Sequence, residues 1–250
     1  MQFQFGSEQI VVNVPDWNAL SVQVAQRFQS GQGFALATIN LDHLVKLKQD
    51  ARFRAAYAQQ DLVVADGNPI VWLSHLAGRP VSVLPGSDLV KPLCELAAET
   101  AVRVALVGST SEALQDAAET LCKQVPGLEI VLCLSPSHGF DATSPEAGEV
   151  LNRVEQSGAG LCLLALGAPR QEELAARGRQ LTPGVGFVSV GAGLDFLGGH
   201  QTRAPRWVRR IGMEWLWRAV GSPARLGPRY LRCLAILPGQ CIAALRLRRS

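Results

Sequence analysis

The sequence has no uninterrupted apolar run of 18 or more residues, which predicts that no conventional span crosses a membrane. Its start, MQFQFGSEQIVVNV, lacks a basic stretch followed by an apolar one, so no signal peptide is expected. Six cysteines form no C-x-x-C pair, and four scattered histidines form no H-E-x-x-H. Asp-x-Asp, the motif with which many nucleotide-sugar enzymes hold a divalent ion, is absent, and no metal site is expected. The chain has no G-x-G-x-x-G after a strand, no G-x-x-x-x-G-K-[ST] and no G-x-S-x-G. These gaps argue against a dinucleotide-dependent dehydrogenase, a Walker-type nucleotidase and an α/β serine hydrolase. The cysteines sit mostly in apolar text and are expected to be reduced and buried.

Charge of one sign is missing from one end of the chain. Residues 201–250 carry 11 Arg and a single acid, Glu214, for a sum of +10. Residues 1–200 carry 13 basic and 20 acidic residues, a sum of −7. The formal net charge of +3 hides this division. Basic ends meet anionic partners: nucleic acid, lipid head groups or a phosphorylated substrate. In the tail, Arg203, Arg206, Arg209, Arg210, Arg218, Arg225, Arg229 and Arg232 are interleaved with Trp207, Trp215, Trp217 and Tyr230. Arginine forks suit phosphate, and Trp and Tyr suit a membrane interface. The aromatics lie among leucines in amphipathic text rather than on a stacking platform, so nucleic acid ranks below membrane.

The 250 residues, 48% hydrophobic, suffice for one sizeable core. Short apolar runs alternate with helical text from Phe34 onward: 34–39, 62–65, 102–107, 128–134, 161–166 and 185–190 read as strands. Continuously apolar strands separated by helices predict a parallel sheet covered on both faces. Residues 2–5 and 9–14 read as two short N-terminal strands. Residues 40–57 read as helical text, and 207–219, 223–236 and 240–249 as short helices punctuated by Gly221, Pro223, Pro228, Pro238 and Gly239. The expected architecture is α/β, a Rossmann-like parallel sheet with a small helical, Arg-rich C-terminal appendage. The expected boundary separates a catalytic domain at 1–200 from a membrane- and acceptor-binding appendage at 201–250.

In such a sheet ligands bind beyond the carboxyl ends of the strands. Asp66, ending an apolar strand, reads either as a partly desolvated general base or as a helix-capping aspartate. Thr38 and Asn40 end the neighbouring strand and also read as site residues or caps. Gly108-Ser109-Thr110 before a helix offers N–H groups to a phosphate, or is ordinary capping. Gly167-Ala168-Pro169-Arg170-Gln171-Glu172 and Gly191-Ala192-Gly193 complete the strand-end set.

Together these stretches resemble the WecG/TagA/CpsF family of bacterial glycosyltransferases. The matching text is TINLDHL (38–44), LVVADGNPIVW (62–72), GSDL (86–89), VALVGST (104–110), LLALGAPRQEEL (163–174) and the long block at 190–231 that contains RAPRW and EWLWR. The resemblance implies transfer of a sugar, without metal or cofactor, from a UDP-sugar to a polyprenyl-diphosphate-linked saccharide, with inversion. The donor sugars it admits are N-acetylmannosamine, its uronic acid and glucose, and exopolysaccharide synthesis is the favoured setting. It implies Asp66 as base, with Thr38, Asn40 and Gln171 beside it. Gly67, Gly108, Ser109, Gly167, Pro169, Glu172 and Gly191 would shape the substrate site. Arg203, Arg206, Arg210, Arg218 and Arg225 would neutralise diphosphate. It also implies a peripheral location on the inner face of the cytoplasmic membrane, no nucleic-acid partner, and leaves room for a homo-oligomer. One position departs from the pattern. Val83 stands where the family usually has Arg, so Arg79 or a tail arginine is expected to replace it. The competing reading is a membrane or nucleic-acid binding module with a vestigial nucleotide pocket.

Overall fold

A computed structural model describes residues 1–205, Val208, Trp217 and 223–249. Among them, six strands form one parallel sheet: β3 (Phe34–Ile39), β4 (Leu62–Ala65), β5 (Val104–Gly108), β6 (Ile130–Leu134), β7 (Leu161–Ala165) and β8 (Gly186–Ser189). Their order is β4-β3-β8-β7-β5-β6. An N-terminal antiparallel hairpin, β1 (Gln2–Phe5) and β2 (Glu8–Val11), stands apart from this sheet.

Alternate residues of each strand feed opposite layers, as strand geometry requires. Leu36, Leu106, Leu163 and Val188 face α1 (Trp17–Ser30), α5 (Gly86–Glu99), α6 (Ser111–Gln124) and α9 (Gly193–Leu197). On the other side, Ala105, Val107, Cys162, Leu164 and Phe187 pack on α7 (Pro145–Gln156) and α8 (Arg170–Leu181). Ala37, Ile39, Val63 and Ala65 pack on α2 (Leu41–Gln49), α3 (Ala51–Ala58) and α4 (Asn68–Leu76). The helices thus cover both faces, and the α/β expectation holds.

Local signals explain the boundaries. The Asp16 carboxylate accepts from the Ala19 amide at the start of α1, and Gly31, with φ +64°, closes it. The expected helical text at 40–57 is broken in two. Asp50 ends α2, and its carboxylate caps α3 by accepting from the Phe53 amide.

The C-terminal expectation needs correction. Residues 223–249 form one helix, α10 (Pro223–Arg249), not two, and it runs through Pro228 and Pro238. Each internal proline removes a helical hydrogen bond. Packing offsets that loss, because Leu226, Cys233 and Ala244 are buried where α10 lies on α2 and α4. This helix is also long and apolar enough, by length and composition, to cross a bilayer, which no apolar run in the sequence suggested. The expected helix at 207–219 falls mainly outside the described residues. The cysteines are all free, but Cys122 and Cys133 are exposed, against the expectation of burial. Their strand and helix positions face outward, a distinction that apolar surroundings in sequence do not make.

Candidate active site

The site assembles where β3 and β4 end together. Their register pairs Ile39 with Ala65, so Asn40 and Asp66 each stand one residue past the last pair. The Asn40 Nδ2 donates to Asp66 Oδ2 at 3.0 Å. Asn40 Oδ1 meanwhile accepts from the His43 amide at 3.1 Å and caps α2. Asn40 therefore caps a helix with one atom and holds Asp66 with another. Asp66 is not the cap of α4. That position belongs to Gly67, whose φ of +96° and lack of a side chain turn the chain sharply after the carboxylate.

Thr38 is buried and lies against the start of α5. A Cβ at Gly86 would sit 3.4 Å from its Cγ2 and 3.0 Å from the Ser189 carbonyl oxygen. The Thr38 carbonyl accepts from the Tyr57 hydroxyl at 2.8 Å, and His43 Nδ1 lies 2.9 Å from the same hydroxyl. With the Tyr57 proton committed to Thr38, its oxygen accepts from Nδ1 of a neutral His43. Burial pushes the His43 imidazole down to about 4, consistent with the neutral form.

The GAPRQE loop approaches from β7. Gly167 has φ +71° and Pro169 caps α8 after a cis Ala168–Pro169 peptide. The Gln171 amide is fixed at both ends: Oε1 accepts from the Gly191 amide at 3.2 Å, and Nε2 donates to Glu172 Oε1 at 2.8 Å. Glu172 is 0% exposed, and its Oε2 has no hydrogen-bond partner among the described residues. Burial pushes its carboxyl up to about 7, against the Gln171 hydrogen bond and the nearby Lys46 charge, which pull it down. Beside the loop opens a cleft of about 400 Å³ lined by Asp50, Arg52, Phe140, Asp141, Pro169, Arg170 and Glu173.

The β5 loop is structural in part. Thr110 accepts from the Ala113 amide and caps α6, whereas the Ser109 hydroxyl donates to Asp195. A Cβ at Gly108 would lie 2.4 Å from the Ala165 carbonyl oxygen, so that position is closed to any side chain.

The tail arginines divide. Arg203 pairs with Asp88 in the first turn of α5 and lies 5.7 Å over the Phe196 ring. Arg206, Arg210, Arg218 and the Arg225 side chain lie outside the described residues. Arg79 is the other expected substitute for the family arginine. It follows the far end of α4, about 13 Å of helix away from Gly67, and donates to Gln2 at 3.2 Å. Val83 itself bridges Ala65, with 41% of its surface exposed, so a longer side chain there would stand beside Asp66.

The motif order agrees with a wider comparison. The description "Glycosyl transferase WecG/TagA/CpsF family" matches residues 8–250. The chain belongs to the WecG/TagA/CpsF family of glycosyltransferases. It is 28% identical over 221 residues to the N-acetylglucosaminyldiphosphoundecaprenol N-acetyl-beta-D-mannosaminyltransferase of Bacillus spizizenii strain W23, covering 88% of this chain and 81% of that protein.

Sequence reasoning missed several residues that support these strand-end loops. Lys46 donates to the Ala168 carbonyl at 3.0 Å, Asp195 accepts from Ser109, and Tyr57 supports Thr38. Asp195, just past the Gly191-Ala192-Gly193 turn, carried a signal: an acid following a strand-end glycine pair. Lys46 and Tyr57 carried none, since each meets its partner only through the tertiary fold.

Proposed function

We propose that the protein transfers a sugar from a UDP-sugar to a polyprenyl-diphosphate-linked saccharide, with inversion and without a metal. The observation that carries this reading is Asp66, held by Asn40 beyond the end of β4. Asp66 takes the proton of the acceptor hydroxyl as that oxygen attacks the anomeric carbon. The bond from the anomeric carbon to the diphosphate breaks, and UDP leaves with the electron pair. Asn40 and Thr38 orient the reacting groups, and Gln171, fixed between Gly191 and Glu172, meets the sugar or diphosphate. Arg203, beside the first turn of α5, supplies positive charge that Val83 does not. The absent Asp-x-Asp supports charge neutralisation by arginine. The relative's N-acetylmannosaminyl transfer favours an N-acetylhexosamine donor over glucose.

The acceptor is reached at the inner face of the cytoplasmic membrane. Leu231, Leu234, Ile242 and Leu245 of α10 are exposed, between 45% and 69%, and their spacing puts them on one outward stripe. The opposite face is committed to the body. This favours a helix lying in the interface over one that spans it. The test is a donor panel of UDP-N-acetylmannosamine, its uronic acid and UDP-glucose, with a synthetic polyprenyl-diphosphate-linked acceptor, read by product mass. A product from the N-acetylmannosamine donor is expected. No product from any donor, together with no thermal stabilisation by millimolar UDP, would overturn the reading in favour of a binding module.

A further inference from the structure

Asp42 is the meeting point of two cations from different parts of the chain. Its side chain is 11% exposed. One oxygen pairs with Lys46 Nζ at 3.1 Å, one turn along α2, and the other pairs with Arg229 Nε of α10 at 3.0 Å. The same Lys46 Nζ donates to the carbonyl of Ala168 at 3.0 Å, the residue preceding Pro169 in the GAPRQE loop. Beside Gly167 the loop borders open space, since nothing lies within 4 Å of a Cβ built there. A chain of contacts therefore runs from the outward helix to the strand-end loop: Arg229, Asp42, Lys46, Ala168.

We propose that Lys46 and Asp42 are positioning residues for the Gly167–Pro169 loop, and that Arg229 makes their arrangement depend on α10 being seated. The inference rests on the reading of that loop as part of the donor site. A covered ion pair is stronger than a solvated one. With α10 in place, Arg229 screens Asp42 from water and holds its charge beside Lys46, whose Nζ donates to Ala168. With α10 displaced, Asp42 and Lys46 are hydrated and the carbonyl loses its fixed donor. The face of α10 that meets the bilayer and the loop that meets the donor are thereby linked through one carboxylate.

The test uses the full chain and a water-soluble, short-prenyl diphosphate acceptor, so that vesicle binding does not enter the kinetics. Lys46→Met is expected to raise the donor KM about tenfold, with kcat changed much less and the melting temperature held. Lys46→Arg restores the KM. Arg229→Met gives the same signature with undiminished cosedimentation on anionic vesicles. The Asp42→Asn/Arg229→Met double variant is no worse than the more impaired single variant, because both act through one contact. Effects that multiply instead would place Arg229 on the substrate and overturn the proposal. So would a wild-type donor KM in Lys46→Met or Arg229→Met. Asp66→Asn separates the two failures: if it too is fully active, the reading of the site falls; if it alone is inactive, only the coupling falls. Should Lys46→Met not fold, Lys46→Gln, compared with the Lys46→Arg rescue, decides the same question.

Discussion

The Asn40 amide donates to the Asp66 carboxylate at 3.0 Å because a parallel register leaves both residues level at the sheet edge. This contact gives the Asp66 carboxylate a fixed donor. Replacing Asp66 by Asn removes the proton acceptor with little change of shape. Transfer is expected to fall by about 10²–10⁴-fold, the range of general-base contributions. Asn40→Ala also removes the cap of α2, so it should cost roughly 1 kcal/mol of stability as well as activity. Steady-state kinetics and thermal melting on the two variants check this, and an Asp66→Asn enzyme with wild-type kcat would remove the base assignment.

Glu172 provides a stability signature. Its carboxyl ionises near 4.5 when unfolded but at about 7 when buried. Between those values the folded state holds a proton that the unfolded state has released. Stability from this group therefore falls as pH rises from about 4.5 to about 7 and is level outside that window. The loss amounts to at most about 3 kcal/mol. Glu172→Gln can still accept from Gln171 and has no such window. Urea denaturation of the two proteins at pH 4.5 and pH 8 should show the wild type losing more stability than the variant on going to the higher pH. Parallel curves would mean that Glu172 is ionised throughout.

Much of this site was legible from sequence because the strands announce themselves. Phe34–Ile39 and Leu62–Ala65 are unbroken apolar runs, and the polar residues that follow them mark the sheet edge. The parts that were illegible are tertiary. Lys46 and Ala168 lie 122 residues apart, and no local pattern connects them. Asp50 looked like one more helical residue, although an aspartate three residues before Phe53 is also a cap. Pro228, Pro238 and Gly239 looked like stops because their local cost is real. The contacts that offset it, where buried Ala244 and the partly buried Ile236, Cys241 and Leu247 share a cluster with Leu44, Leu47, Ile70 and Leu73 of α2 and α4, come from far away in the chain.

Val83 marks a place where specificity is open to redesign. It pairs with Ala65, and the Leu84 amide donates to the Ala65 carbonyl at 2.7 Å, so position 83 is fixed beside Asp66. Val83→Arg places there the arginine that the family resemblance leads one to expect. The side chain is exposed enough to be lengthened without overpacking the core. UDP should bind roughly tenfold more tightly if the new guanidinium reaches the diphosphate. Titration of both proteins with UDP by calorimetry measures this. Unchanged affinity would mean that Arg203 already saturates that role or that the diphosphate lies elsewhere.

The outward stripe of α10 can be altered without touching the body. Leu234 is 52% exposed and Ile242 is 54% exposed, and neither supports the buried face formed by Cys233 and Ala244. Leu234→Asp with Ile242→Asp puts two charges where apolar side chains would enter the acyl boundary. Each change also opposes the attraction between Arg232, Arg246 and Arg249 and anionic lipid. Cosedimentation with phosphatidylglycerol vesicles should fall by at least about tenfold, whereas the melting temperature in solution should be unchanged or higher. Turnover of a water-soluble acceptor should survive, because the Arg229–Asp42 pair on the inner face of the helix is retained. Turnover of a long-chain acceptor in vesicles should fall with binding. A variant that binds vesicles as the wild type does would show that this stripe faces something other than lipid.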